Sequence, residues 1–148
     1  MATTPGFVHL RVHSSYSLLE SALTIPKIVK LASADAQPAV ALTDTNNLFG
    51  ALEFSEKAAS SGIQPIAGLT LTLDFADRPA GRDGRSTSRG KIVLLARTED
   101  GYRNLMRLTS RAFLDTEGAE EPVVGLDLLG RHLAGLTLLT GGPGGPLD

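Results

Sequence analysis

The chain has 148 residues, 42% of them apolar and 20% charged, with a net charge of −2, a pI near 5.9 and no cysteine. This suits one domain around a single core and excludes a disulfide framework, a thiolate metal site and a strongly basic nucleic-acid clamp. The opening residues mix His, Arg, Ser and Glu, unlike a signal peptide, and no apolar run approaches the ~18 residues of a membrane span, so the expected location is the cytoplasm.

Phe7–Val12 alternates apolar residues with His9 and Arg11, the pattern of a strand. Thr24 is placed to cap a helix to about Ala36, with Pro26 in its first turn and Ile25, Ile28, Val29 and Ala32 on one stripe. "PAVALTD", 38–44, suits a strand buried on both faces. A helix is expected from Asn46 or Asn47 to Ser61, ended by Gly62. Strands follow at 64–73 and 91–97, a helix at 101–113, a short helix at 126–133 and a strand at 135–142. The order β-α-β-α-β-β-α-α-β calls for mostly parallel strands with helices packed outside. Residues 74–90, with four arginines and three aspartates among Gly and Ser, read as a surface loop.

The stretch "HLRVHSS", 9–15, carries the chemical question. Strand alternation would set His9, Arg11 and His13 on one face. Alternate histidines suit a metal site, but arginine has no lone pair to give a metal. His132 falls near a helix C-terminus, where an imidazole suits the helix dipole. "GGPGG" lacks the Lys-Ser/Thr of a phosphate loop.

Taken together, "FVHLRVHSSYSLLES", "ALTDTNNLFGALEF", "GIQPIAGLTL", "GYRNLMRLTSRAF" and "GLTLLTGG" resemble the PHP (polymerase and histidinol phosphatase) domain found at the N-terminus of bacterial DNA polymerase III alpha subunits. The resemblance implies an α/β fold, a distorted TIM-like β/α barrel. Residues 1–148 would be an incomplete N-terminal portion of it, one partial domain of five largely parallel strands with outer helices and a variable insertion at 74–90. It also implies a larger parent protein that synthesises DNA with divalent metal such as Mg²⁺ in a separate polymerase core.

Metal-holding members of the family gather imidazoles and carboxylates at the strand ends to activate water against a phosphate ester. The resemblance places the corresponding positions at Arg11, His13, Glu20, Asp44, Thr45, Thr70 and Gly142, with His9 beside them. Arg11, Thr45, Thr70 and Gly142 offer no ligand of the expected kind. The expectation is therefore a vestigial site without metal, in a non-catalytic scaffold. That scaffold would pack on the polymerase core, dock a proofreading exonuclease subunit, meet DNA only through the full-length protein and touch no membrane. The competing expectation is a weak metal-dependent phosphoesterase or 3′–5′ exonuclease. Arg11 is further expected to replace the lost metal charge by pairing with Asp44, Glu20 or both.

Overall fold

Leu69, Leu71 and Leu73 alternate with Thr70 and Thr72 along one strand, and this alternation sorts the two faces of the molecule. The computed structural model describes residues 6–75, 89–116, 121–142 and 145. Its elements are α1 (Ile25–Ala34), β1 (Ala39–Leu42), α2 (Ala51–Ser60), β2 (Gln64–Asp74), β3 (Arg89–Ala96), α3 (Glu99–Asp115), β4 (Val124–Gly125), α4 (Leu126–Gly130) and β5 (Leu136–Leu139). The loop expected at 74–90 falls mainly on 76–88, outside the described residues.

The sheet runs β1-β2-β3-β5, with β4 also on β2. β1 and β4 pair with β2 in parallel, while β3 pairs antiparallel with both β2 and β5. β1, β2, β4 and β5 therefore run one way, and β3 alone is reversed. The reversal follows from the connection between β2 and β3, which contains no helix in the sequence pattern to carry the chain back for a parallel return.

The leucines of β2, with Ile92 and Leu94 of β3, face α3 and pack on Leu105, Leu108 and Ala112. A second core joins Ile25, Ile28 and Val29 of α1 to Val40 and Leu42 of β1 and to Phe54 and Ala58 of α2. On the opposite face of the sheet, Ala41, Val93 and Leu95 form a smaller apolar floor with Ile66 and Leu139. Thr70 and Thr72 share that inner face, because Thr70 pairs with Val93 and Thr72 with Lys91.

Three local expectations are corrected. Residues 7–12 form no strand. Ala41 N–H donates to His9 O (2.9 Å) and Thr43 N–H to Val12 O (2.8 Å), so three residues of this segment span two of β1. That mismatch breaks the ladder and the alternation with it. α2 begins at Ala51, later than expected, because Asn46 takes a left-handed φ of 53° and Asn47 Oδ1 accepts from Phe49 N–H (3.2 Å) in a side-chain turn. α3 begins earlier than Gly101, since Thr98 caps it by accepting from Gly101 N–H (3.1 Å) and Glu99 and Asp100 suit the positive end of the helix.

Candidate functional site

Beyond the end of β1 the chain turns at Asp44, which is 2% exposed. Its Oδ1 accepts from Ser14 N–H (2.6 Å) and Ser17 Oγ (2.6 Å), and its Oδ2 accepts from Ser14 Oγ (2.7 Å). A buried carboxylate that accepts three hydrogen bonds is well compensated without a cation. Asp44 thus fixes the 14–17 turn and has no salt-bridge partner among the described residues.

The turn delivers His13 and Glu20 to the inner face of the sheet. His13 Nδ1 lies 3.0 Å from Glu20 Oε2, and Nε2 lies 3.1 Å from Thr70 Oγ1. Thr45 Oγ1 donates to Glu20 Oε2 (2.6 Å), and Lys91 Nζ donates to Glu20 Oε1 (2.7 Å). Thr45 and Thr70 are themselves β-bridge partners, and Thr70 Oγ1 also lies 2.8 Å from Thr43 O. One small cluster therefore holds His13, Glu20, Thr45, Thr70 and Lys91.

Burial pushes the His13 imidazole below its usual 6.5, Arg11 and Lys91 act in the same direction, and Glu20 and Asp44 oppose them. The ring is then neutral at neutral pH. A carboxylate has no proton to donate, so Nδ1 carries the hydrogen and Nε2 faces the Thr70 hydroxyl. Burial alone would raise Glu20, but hydrogen bonds from Lys91 and Thr45 outweigh it and hold the carboxyl below its ordinary 4.5.

Arg11 does not do what its charge suggested. Its Nη1 donates to the carbonyl of Gly141, and the cation on Glu20 is Lys91. Arg11 still borders the cluster, since its charge acts on the His13 ring; a Cβ added at Gly142 would lie 3.8 Å from its Nη1. Gly141 has φ 86°, and a Cβ there would meet Lys91 O at 2.2 Å, so only glycine lets this turn close against β3. His9 lies apart from this cluster: its exposed ring stands edge-on to Phe7 at 4.7 Å. The broken alternation of residues 7–12 explains why it does not share a face with His13.

The residues present do not fit a polynuclear metal centre. Among the described residues no three His, Asp or Glu side chains assemble as ligands. His13 Nδ1 is spent on Glu20 and its Nε2 faces the Thr70 hydroxyl, both oxygens of Asp44 are spent on serines, and an ammonium sits on Glu20. Sequence reasoning missed Lys91, Ser14 and Ser17. Lys91 was signalled by parity: in β3 it shares the inward positions of Val93 and Leu95, where a lysine is out of place.

A sheet covered by outer helices, with a polar cluster beyond the end of β1, is a TIM-like β/α architecture. The fold is similar to an amidohydrolase from Chromobacterium violaceum solved with bound sulfate and no metal (TM-score 0.53, 26% identity, 71% of this chain and 32% of that one). It also resembles a putative metal-dependent phosphoesterase from Bifidobacterium adolescentis (TM-score 0.50, 15% identity, 71% of this chain and 32% of that one). Residues 9–148 match the PHP domain, and the chain belongs to that family. Among curated proteins it is similar to the DNA polymerase III subunit alpha of Caulobacter vibrioides, at 46% identity over 97% of this chain. It is likewise similar to the same subunit of Vibrio cholerae, at 37% identity over 95% of this chain. The chain spans 12% of the length of either relative. No helix among the described residues is long and apolar enough to cross a membrane.

Proposed function

We propose that the chain is the N-terminal PHP portion of a bacterial replicative DNA polymerase III alpha subunit, acting there as a non-catalytic scaffold. The observation that carries this reading is the Lys91 ammonium on Glu20, with hydroxyls at Thr45 and Thr70 where metal ligands would stand. A lysine so placed neutralises a carboxylate but cannot activate water or polarise a phosphoryl oxygen as a divalent ion does.

In this reading, template-directed DNA synthesis belongs to the longer protein and to divalent metal such as Mg²⁺ held in its polymerase core. The present chain packs on that core, docks the proofreading exonuclease subunit, works in the cytoplasm and meets DNA only through the whole protein. Metal content and phosphodiesterase activity test the scaffold role. After dialysis the purified protein should hold less than ~0.1 zinc or manganese per PHP portion, with no turnover of bis-p-nitrophenyl phosphate that depends on Glu20 or Asp44. Stoichiometric metal with Glu20-dependent turnover would replace the scaffold by a phosphoesterase.

A further inference from the structure

Away from this cluster, Arg103, Arg107 and Arg111 follow one another at four-residue spacing along α3, which sets them in a row on its outer side. With Arg131 and His132, just past α4, they line a groove of about 670 Å³ whose floor includes Leu128. The arginines are not equivalent. Arg103 is held by Glu99 and Asp100, and Arg111 by Asp115. Arg107 meets only the neutral side-chain oxygen of Asn104 (3.1 Å), and the Arg131 guanidinium has no acceptor among the described residues. His132 Nδ1 donates to Leu128 O (2.8 Å), which leaves Nε2 without a partner there.

We infer that this groove binds a single phosphoryl group, held by Arg107 and Arg131. Two guanidinium forks match the several oxygens and the double charge of a phosphate monoester better than the two oxygens of one carboxylate. The carboxylates at either end of the row limit the ligand. Glu99 and Asp100 flank one side and Asp115 the other, so a continuous run of phosphodiesters would have to cross like charge. The shared chemistry is therefore one phosphoryl group, either free phosphate or the phosphate of a nucleotide. The inference is independent of the scaffold role proposed above.

Arginine modification by phenylglyoxal, read residue by residue by mass spectrometry, tests it on the intact protein. For a millimolar site, about 10 mM phosphate should slow modification of Arg107 and Arg131 roughly tenfold. Exposed Arg97, outside the groove, should react at an unchanged rate. Arg107→Gln should abolish the protection of Arg131. Inorganic phosphate and thymidine 5′-monophosphate are compared as probes, and stronger protection by either supports the site and names its source. Unchanged rates with both probes, equal protection by chloride at the same ionic strength, or stronger protection by an unphosphorylated decathymidylate would each overturn the inference.

Discussion

Lys91→Met removes the ammonium from Glu20 and keeps an unbranched side chain of similar length. The pair is 2.7 Å apart, and each side chain is 33% exposed. An exposed ion pair contributes ~0–1 kcal/mol, and breaking a buried one costs ~3–5 kcal/mol. Partial exposure screens this pair, and Glu20 keeps Thr45 and His13, so it is not left stranded. The expected loss is about 1–2 kcal/mol, or roughly 3–6 °C in Tm for a domain of this size. Arg11→Met is the control. It removes a bond to a carbonyl from an exposed residue and leaves every partner of Glu20 in place, so it should cost only about 0.5–1.5 kcal/mol. Urea unfolding of Lys91→Met, Glu20→Gln and the double variant gives the coupling, expected near 1 kcal/mol and smaller in high salt, with Arg11→Met measured beside them. No coupling in the double variant would refute the assignment of Lys91 as the compensating charge.

Acid should weaken the cluster in two steps. His13 and Glu20 both have folded pKa values below their ordinary 6.5 and 4.5, so the unfolded chain binds their protons first. Stability is then full above about pH 6.5 and falls as pH drops toward the folded value of His13, then again below about 4.5. Melting curves across pH should show the upper step disappear in His13→Gln. Asp44→Asn turns one acceptor oxygen into a donor facing a serine hydroxyl and should cost about 2–4 kcal/mol by chemical denaturation. Gly101→Ala puts a methyl 2.0 Å from Gly135 O, so α3 must shift off the start of β5. A Tm loss corresponding to roughly 1–3 kcal/mol is expected, and an unchanged Tm would contradict that close approach.

The elements with strong periodicity were legible. α1, β2, β3 and α3 all lie within a few residues of the pattern that announced them, because their apolar stripes are the surfaces they bury. Legibility failed where a side chain competes with the backbone. Asn46 and Asn47 replace the first turn of α2 with bonds of their own, and the extra residue between His9 and Val12 undoes a strand whose sequence alternates well. The candidate site divides in the same way. The family motifs brought His13, Glu20, Thr45 and Thr70 to one place, since the resemblance aligned them with one set of ligand positions. They could not reveal which cation arrives there. Arg11 is near in sequence to His13, whereas Lys91 is 71 residues from Glu20 and reaches it only through the reversed β3.

Lys91 also changes what the fold depends on. A domain that borrows its central charge from dissolved metal is stabilised in proportion to the logarithm of metal concentration, and weakens when that metal is withdrawn. Here the cation is tethered through the peptide chain to the carboxylate it balances, at an effective concentration that no starvation or chelator can lower. The charge is inherited with the gene and does not have to be taken up from the surroundings. In the scaffold reading proposed above, the arrangement trades Lewis acidity for a framework whose charge balance comes from its own sequence.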